Sequence, residues 1–411
     1  MFPTTLLTTL LLAFAVAANP VVVREPLVSL PMAKNFNTTG TLNLLQRDQA
    51  RARQLVLSAE RSLTGKPTPD IVGSIPATNA AVDYTVQVGI GSPPTTYTLL
   101  VDTGSSNTWI GAGKAYVRTP TSIQTPDTVS VSYGSGSFSG IEFLDTVNLG
   151  AGLIINNQSI GVANKTAGFG GIDGILGIGP VDLTVGTLRP HTSSSVPTVT
   201  DNLFSKGVIS ANLVSVSFAP TNSISSVNGE LTFGGIDSSK FTGSIRFAPI
   251  TTTYPASFFW GINQSIRYST GTAILSTTAG IVDTGTTLIL IASDAFARYQ
   301  AATGAVLDNQ VGLLRLTPAQ FANLKSLFFV INGVTYELTA NAQIWPRSLN
   351  TAIGGSNSFV YLIVGNIGTA SGKGLDFING MTFLERYYSV YDTANRRVGL
   401  ATTSNTFATT N

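Results

Sequence analysis

Residues 100–106, LVDTGSS, decide the fold of this 411-residue chain, because the pattern returns at residues 281–287 as IVDTGTT. Each copy follows a short apolar stretch of the kind that forms a buried strand. A second pattern repeats downstream, as Ile175-Leu176-Gly177 after the first copy and as FING at residues 377–380 after the second. One half of the chain therefore repeats the other, which predicts two related lobes joined near residues 245–250.

The repeated Asp-Thr-Gly turn presents one carboxylate at the end of each strand. Glycine lets the two backbones approach, and threonine can hydrogen-bond across; these residues are Thr103, Gly104, Thr284 and Gly285. A single turn of this kind is usually a hairpin loop. Two copies in matching contexts favour a shared site in which Asp102 and Asp283 lie side by side.

Paired carboxylates have a specific chemistry. Two like charges in contact cannot both ionise easily, so Asp102 and Asp283 are expected to share one proton. The ionised member then takes a proton from water while the protonated member polarises a carbonyl, which is acid–base catalysis favoured at acidic pH. Ser105 and Thr286 are expected to hydrogen-bond the outer carboxylate oxygens, although such hydroxyls often only satisfy turn backbone.

Residues 129–140, VSVSYGSGSFSG, predict a hairpin with a flexible tip. The tip carries Tyr133, Gly134 and Ser135. By folding over a bound peptide, this hairpin would exclude water and bring the Tyr133 hydroxyl to the site. A phosphate-binding loop is the alternative for a glycine-rich stretch, but no Gly-Lys-Ser/Thr follows.

The composition favours a β-rich globular chain. Hydrophobic residues make up 43% and charged residues 11%, and 41 glycines are spread among many Thr, Ser and Val, which is typical of short strands joined by tight turns. Alternation at residues 84–90 and 97–101 predicts a hairpin with its turn at residues 91–94. Three helices are predicted, at Val199–Lys206, Ser293–Ala302 and Pro318–Ser326.

Several classes of site are excluded or disfavoured. The chain has no cysteine and one histidine, His191, so it cannot form a Cys/His zinc site, a cysteine nucleophile or a disulfide. Its net charge is only +2 and it has no long basic run, which does not favour nucleic-acid binding. We predict no metal, no cofactor and no nucleic-acid partner.

The N-terminal region differs from the rest of the chain. Residues 1–18 combine an apolar stretch with small residues, which predicts a signal peptide too short to span a bilayer. Residues 19–71 hold seven Lys and Arg against four Asp and Glu, which suggests a removable partner segment. Within it, Leu42 to Leu63 predicts an amphipathic helix that ends before Gly65 and Pro67. The alternative is an ordinary N-terminal helix of the mature domain.

Taken together, these residues resemble the pepsin-like aspartic proteases, most closely the secreted fungal enzymes of the polyporopepsin type. The resemblance runs through most of residues 73–405. It is carried by Asp102-Thr-Gly-Ser-Ser-Asn-Thr-Trp109, Tyr133-Gly-Ser-Gly, Asp173-Gly-Ile-Leu-Gly177, Gly234-Gly-Ile-Asp237, Asp283-Thr-Gly-Thr286, Tyr388-Ser-Val-Tyr-Asp392 and Arg397-Val-Gly-Leu400.

The resemblance implies a mostly β, bilobal fold with two pseudo-twofold-related lobes and a substrate cleft between them. It implies that Asp102 and Asp283 are catalytic, that Tyr133 lies on the flap, and that Trp109 bonds to that tyrosine. It also implies a propeptide that fills the cleft until acid releases it, with Lys34 or Lys66 expected over the aspartates. The predicted organisation is a signal peptide at 1–18, a propeptide at 19–72, an N-terminal lobe at 73–247 and a C-terminal lobe at 248–411.

Three departures from the family pattern bear on these expectations. Without disulfides, the lobes must be held by packing. Asn379 replaces an aliphatic residue, which puts the local packing in doubt. Position 135 is Ser, whereas family members that accept lysine before the scissile bond carry Asp there. With Leu100 and Tyr133 as the expected pocket walls, we predict a preference for large hydrophobic residues.

The expected product is a secreted, monomeric aspartic endopeptidase that acts on proteins or peptides and has its own propeptide as a partner, but no membrane partner. The alternative is a catalytically inactive relative that binds or inhibits a protein. Neither a glycosidase nor a serine hydrolase relying on His191 explains the twin turns. Glycosylation is predicted at Asn157, Asn164 and Asn263, and at Asn37 in the propeptide.

Overall fold

The structure is a computed structural model that describes residues 27–38, 43–66 and 80–411. The expected signal peptide, Leu42 and the predicted boundary between residues 72 and 73 lie outside the described residues. Within the described ranges the chain forms 24 strands and five α-helices. None of these helices is both long and apolar enough to cross a membrane.

The strands of the first half are β1 (Val28–Thr38), β2 (Ala80–Ile90), β3 (Thr95–Asp102), β4 (Trp109–Ile110), β5 (Ile123–Ser132), β6 (Ser137–Asn148), β7 (Ile154–Ala167), β8 (Gly174–Gly177), β9 (Leu188–Arg189), β10 (Leu213–Ser217) and β11 (Ser225–Phe233). Those of the second half are β12 (Thr242–Pro249), β13 (Gly261–Tyr268), β14 (Thr272–Val282), β15 (Ile289–Ile291), β16 (Val306–Leu307), β17 (Leu314–Leu316), β18 (Leu327–Ile331), β19 (Val334–Leu338), β20 (Val360–Tyr361), β21 (Val364–Asn366), β22 (Phe377–Asn379), β23 (Tyr387–Asp392) and β24 (Arg397–Thr402). The helices are α1 (Leu44–Thr64), α2 (Val199–Ser205), α3 (Ser293–Thr303), α4 (Pro318–Phe321) and α5 (Met381–Leu384).

In the described part of the chain, the strands form three sheets. A 14-stranded sheet has the order β12-β24-β23-β10-β11-β1-β2-β3-β8-β4-β7-β6-β5-β9, a seven-stranded sheet has the order β19-β18-β13-β14-β22-β15-β21, and a small sheet has the order β16-β17-β20. The first sheet holds the first Asp-Thr-Gly turn and the second holds the repeat. The mostly β, bilobal architecture is therefore confirmed.

The predicted local elements are largely present. The hairpin of β2 and β3 pairs Ile90 with Thr95 around the predicted turn. The first two predicted helices correspond to α2 and α3, but the third, α4, is shorter and ends at Phe321. The helix predicted from Leu42 to Leu63 is α1, whose N-terminus is capped by Asn43 and which ends at Gly65 in a left-handed conformation.

Strand β1 was not predicted from the sequence. It lies between β11 and β2 in the large sheet and pairs antiparallel with both. Proline is normally excluded from central strands because it cannot donate a ladder hydrogen bond, and Pro31 lies within this one. A register shift between Met32 and Ala33 follows the proline and accommodates it. The N-terminal segment, defined here as described residues 27–66, is therefore built into the body of the fold.

The departure at Asn379 has a structural explanation. Asn379 is fully buried on β22, and its amide donates to Gln264 Oε1 at 2.8 Å, while the Gln264 amide donates to Asn379 Oδ1 at 3.1 Å. Since each amide satisfies the other, the polar pair avoids the cost of an unpaired buried group. The expected doubt about packing at this position is thus resolved by a partner on β13.

One buried carboxyl of the N-terminal lobe has no cation within ion-pair distance among the described residues. Glu142 is 2% exposed on β6; Oε1 accepts from Ser159 Oγ at 2.6 Å, and Oε2 has no hydrogen-bond partner among the described residues. Burial, with a smaller contribution from the charge of Asp127, raises the pKa of Glu142 to about 7, although the hydrogen bond from Ser159 acts in the opposite direction. Asp127 itself contacts the His191 ring at 2.8 Å.

The raised pKa of Glu142 predicts a loss of stability towards neutral pH. The folded protein holds this proton more tightly than the unfolded chain, so the stabilisation is complete below about pH 4.5 and is lost as pH rises through about 7. We expect the free energy of unfolding to fall by about 3 kcal/mol over that window because of this group. Glu142→Gln, which retains an acceptor for Ser159, should remove most of that fall in urea titrations at a series of pH values.

Asp182→Asn is the matched control for Glu142→Gln, since it alters an exposed carboxylate in the same lobe. It should leave the pH dependence of unfolding unchanged. An equal pH dependence in wild type and Glu142→Gln would show that Glu142 is not the responsible group.

Candidate active site

The two repeated turns meet because each ends a buried strand of equivalent topology. β3 pairs in parallel with β8, which places Asp102 opposite Gly177, and β14 pairs in parallel with β22, which places Val282 opposite Asn379. The backbone of each aspartate is fixed by the partner segment: Asp102 O accepts from Ile178 N at 2.9 Å, and Asp283 N donates to Asn379 O at 3.1 Å. The second repeated pattern therefore positions the first.

The two carboxylates have matching hydrogen-bond partners. Ser105 Oγ donates to Asp102 Oδ2 at 2.5 Å, and Thr286 Oγ1 donates to Asp283 Oδ2 at 2.6 Å. The inner oxygens accept backbone N–H groups, from Gly104 to Asp102 Oδ1 at 3.0 Å and from Gly285 to Asp283 Oδ1 at 3.1 Å. The structure thus brings together both aspartates and the hydroxyl groups predicted beside them.

The threonines of the turns join the two lobes. Thr103 N donates to Thr284 Oγ1 at 3.0 Å, and Thr284 N donates to Thr103 Oγ1 at 2.9 Å. Thr284 Oγ1 also donates across the interface to Val101 O at 2.9 Å. All of these groups are buried, so the contacts fix the two turns relative to each other without competition from water.

The glycines of the turns leave room for the opposite carboxylate. A Cβ atom at Gly104 would lie 2.6 Å from Asp283 Oδ1, and a Cβ atom at Gly285 would lie 2.6 Å from Asp102 Oδ1. Both distances are shorter than any real contact of a Cβ atom. Each glycine is therefore required by the close approach of the aspartate from the other lobe.

The guanidinium of Arg51, on α1, lies between the two carboxylates. Its Nη2 donates to Asp102 Oδ1 at 2.5 Å and to Asp283 Oδ1 at 2.9 Å, and its Nε donates to Asp283 Oδ2 at 2.7 Å. One nitrogen thus contacts both aspartates, which places their inner oxygens within reach of a single donor. Neither aspartate is exposed to solvent.

The expectation that Lys34 or Lys66 lies over the aspartates was wrong. Lys34, on β1, forms a buried ion pair with Glu385, and Lys66 lies on the surface beyond the end of α1. A signal for Arg51 was available in the sequence, because it lies at helical spacing on the same stripe as Leu44 and Leu55, which predicts that it faces inward. A cation on the apolar face of a helix needs buried hydrogen-bond acceptors, and a pair of carboxylates supplies them.

Burial and Arg51 determine the pKa values of the pair. Burial raises the pKa of Asp102, an effect that the charge of Arg51 opposes and the charge of Asp283 reinforces. At Asp283 burial acts in the same direction, but the charge and the hydrogen bonds of Arg51 outweigh it and hold the pKa below its usual range. Burial lowers the pKa of Arg51, but the two carboxylates more than compensate and raise it above its usual value.

Further contacts hold α1 across the cleft between the lobes. On the C-terminal lobe, Asp48 Oδ2 accepts from Leu288 N at 2.7 Å and Gln49 Nε2 donates to Asn366 O at 2.8 Å. On the N-terminal lobe, Arg61 Nη2 donates to Leu183 O at 2.8 Å. The helix therefore occupies the space above the aspartates from one lobe to the other.

The hairpin of β5 and β6 is confirmed, with the tip residues Tyr133 and Gly134 between the strands. The tip packs on α1, since a Cβ atom at Gly134 would lie 2.3 Å from Ala50 O. Tyr133 is buried against Phe169, with the ring centroids 5.5 Å apart. Burial, together with the charge of Asp102, raises the pKa of Tyr133, and Trp109 acts in the opposite direction.

The expected bond from Trp109 to Tyr133 is not formed with regular geometry. Their ring centroids are 6.4 Å apart, and neither the Trp109 Nε1 nor the Tyr133 hydroxyl has a hydrogen-bond partner among the described residues. Trp109 stacks instead on Phe138, at 4.3 Å between centroids. Trp109 and Tyr133 therefore lie in one cluster beneath the hairpin, without a regular hydrogen bond between their polar atoms.

The remaining predicted residues lie in different places. Leu100 packs in the cluster beneath the hairpin together with Trp109 and Tyr133, and Ser135 is half-buried at the tip. The three described sequons, at Asn157, Asn164 and Asn263, are all exposed, whereas the side chain of Asn37 lies outside the described residues. Among the residues that the structure describes, no group of three or more potential metal ligands is present.

Comparison with known proteins gives consistent matches. The model of the family "Eukaryotic aspartyl protease" matches residues 83–403. Polyporopepsin from Irpex lacteus is 73% identical over 339 residues, which cover 82% of this chain and 99% of that protein. Rhizopuspepsin from Rhizopus chinensis is 34% identical over 410 residues, covering 95% of both. The crystal structure of the aspartic proteinase from Irpex lacteus matches with a TM-score of 0.80 and 64% identity, covering 94% of this chain and all of that one.

Proposed function

This chain belongs to the eukaryotic aspartyl protease family and is an aspartic endopeptidase, and from that premise we propose that Asp102 and Asp283 are its catalytic pair. The observation that carries this assignment is the shared donor: one nitrogen of Arg51 hydrogen-bonds the inner oxygens of both aspartates. Where a single nitrogen fits between two carboxylates, a water molecule fits as well once the arginine leaves.

The proposed reaction is hydrolysis of a peptide bond by that water. Without Arg51, the two carboxylates repel each other and share one proton. The ionised aspartate accepts a proton from the water as it attacks the carbonyl carbon, and the protonated aspartate donates a hydrogen bond to the carbonyl oxygen. Ser105 and Thr286 hold the outer oxygens in place, so that the inner oxygens face the substrate.

We propose that the structure corresponds to the zymogen and that the N-terminal segment is its propeptide. Arg51 fills the site of the water, and α1 blocks the cleft for a substrate. The family model begins at residue 83, and polyporopepsin matches over 99% of its own length but 82% of this chain, which supports removal of a leading segment. We propose that the segment is cleaved between residues 72 and 73. Cleavage there leaves an N-terminal lobe at 73–247 and a C-terminal lobe at 248–411.

Acid should release this segment, because opening takes up a proton at the aspartates. Arg51 lowers the pKa of both carboxylates while it is in place. The open pair therefore binds more protons than the closed pair, and falling pH favours opening. Asp48 acts in the opposite direction: burial against the C-terminal lobe raises its pKa to about 6, so between its ordinary value and about 6 its protonation favours the closed state.

We also propose that the enzyme is secreted as a monomeric glycoprotein and that it prefers large hydrophobic residues at the scissile bond. The sequence of residues 1–18 and the exposure of Asn157, Asn164 and Asn263 support secretion and glycosylation. The apolar cluster of Leu100 and Tyr133 supports the preference, since no carboxylate at position 135 is available to bind a cation.

The assignment of the catalytic pair predicts the effect of removing either carboxylate. Asp102→Asn and Asp283→Asn should each lower the rate of protein hydrolysis at acidic pH by at least about 100-fold, because the general acid–base pair is lost. The measurement is proteolysis over a pH series, with and without pepstatin. Full activity in either variant, or inhibition by a serine reagent while pepstatin has no effect, would contradict the assignment.

The position of Arg51 predicts how the zymogen responds to a weaker cation. Lysine cannot reproduce the three hydrogen bonds of the guanidinium, so Arg51→Lys should open at higher pH, by about one unit for a single proton taken up. Conversion of the purified zymogen to the shorter form at a series of pH values measures this shift. Arg53→Lys, which alters an exposed arginine of the same helix, should convert as wild type does; an equal shift in both variants would rule out a special role for Arg51.

The preference at the scissile bond is predicted to depend on position 135. In wild type, peptides with phenylalanine or leucine before the scissile bond should be cleaved faster than peptides with lysine. Ser135→Asp places a carboxylate at the tip of the hairpin and should raise kcat/KM for the lysine peptide by about tenfold or more. Ser135→Asn is the uncharged control, and faster cleavage of the lysine peptide by wild type would refute the prediction.

A further inference from the structure

Arg61 differs from the other buried arginines of α1, Arg47 and Arg51, which both pair with carboxylates. Arg61 is 4% exposed in the last turn of the helix, and no carboxylate among the described residues lies within ion-pair distance of it. Its Nη2 donates to Leu183 O at 2.8 Å and its Nε to Val185 O at 3.3 Å. Because burial of an unpaired cation is costly, these two carbonyl groups form a site fitted to a guanidinium.

The walls of this site are backbone. Leu183 lies in a 3-10 turn over Val181–Thr184, and Gly186 follows with a φ of +79°. A Cβ atom at Gly186 would lie 2.6 Å from Arg61 Cγ, so the glycine makes room for the arginine stem. Neither carbonyl oxygen has another hydrogen-bond partner among the described residues, and both become free when α1 leaves.

The site belongs to the cleft of the proposed enzyme. A small cavity is lined by Arg51 and Arg61 of α1 together with Ser105, Tyr133 and Leu183. Arg61 follows Arg51 by ten residues, or about 15 Å along a helix. An extended peptide covers that distance in about four to five residues, and the reach of the substrate's own arginine side chain widens the range to about three to five.

We propose that Leu183 O, Val185 O and Gly186 form a substrate subsite for an arginine side chain, three to five residues from the scissile bond. The proposal rests on the proposed function, because it assumes that a peptide substrate replaces α1. In the closed state Arg61 occupies the subsite, and in the active enzyme an arginine of the substrate takes its place.

The chemistry of the subsite distinguishes it from an acidic one. Two neutral carbonyls accept the Nε–H and Nη–H groups of a planar fork, which lysine does not present. Citrulline carries the same donors without the charge, so a carbonyl site should retain much of its affinity for citrulline. Arg189 donates to Gly186 O at 3.0 Å, and its positive charge repels a second cation. Binding of a side chain at this subsite should therefore depend more on hydrogen bonds than on charge.

Peptide cleavage by the acid-activated enzyme tests the subsite. One position at a time, three to five residues on either side of a hydrophobic scissile bond, is filled with arginine, citrulline, lysine or norleucine. At one position, kcat/KM for arginine and citrulline should exceed that for norleucine by about tenfold, and lysine should stay near norleucine. Equal values at every position, or lysine equal to arginine with citrulline near norleucine, would overturn the proposal.

A blocked variant tests the location of the subsite. Gly186→Asn places a side chain where the arginine stem lies, and asparagine tolerates positive φ better than other residues. It should lower the ratio of the arginine to the norleucine rate to about one. Gly207→Asn, at another positive φ with nothing within 4 Å of its Cβ position, is the matched control and should keep the wild-type ratio.

The two proposals fail in different ways. Failure of the enzyme to cleave the norleucine peptides would contradict the proposed function itself. Cleavage of all peptides without an arginine preference would contradict the subsite alone, as would an unchanged ratio in Gly186→Asn. If Gly186→Asn does not fold, the four peptide series on the wild-type enzyme still decide whether the subsite exists.

Discussion

The contact between Arg51 and the two aspartates is the interaction on which the described arrangement depends. Two carboxylates buried side by side are costly unless a cation or a shared proton separates them. Here the cation is supplied by the chain itself, with three hydrogen bonds from one guanidinium. In the proposed active state a proton has the same role, so the scaffold of the two turns must hold the aspartates in both states.

That scaffold is rigid because it is built from backbone. Strand ends, N–H groups of the turns and the reciprocal contact of Thr103 with Thr284 hold the carboxylates, and the glycines allow their approach. With no disulfide in the chain, the relation between the lobes rests on these buried contacts and on the sheets. The replacement of Arg51 by a shared proton would therefore change charge and access, while the positions of the aspartates stay fixed.

The sequence predicted the parts of the site that carry a repeated or alternating pattern, and it missed parts that depend on contacts between distant segments. A duplicated turn identifies Asp102 and Asp283 by symmetry alone, and alternation identifies the hairpin of Tyr133. β1 was hidden by Pro31, which argues against a central strand. Arg51 was missed because the expectation rested on the lysines of the segment, although the spacing of Arg51 from Leu44 and Leu55 places it on the inward face of the helix. Likewise, the hydrogen-bonded pair of Asn379 and Gln264 joins two strands that are far apart in sequence and meet only in the folded chain.

Arg51 and Arg61, both buried on α1, respond differently to acid, and this difference sets the order of the proposed opening. Carboxylates titrate, so the hold on Arg51 weakens as pH falls; main-chain carbonyls do not titrate, so the hold on Arg61 is unchanged. Asp48 acts against this weakening, because burial raises its pKa in the closed state and its protonation therefore favours that state. Acid therefore loosens the helix first above the aspartates, while its C-terminal turn stays bound to Leu183 and Val185. A segment that opens in this order uncovers the catalytic pair before it leaves the cleft.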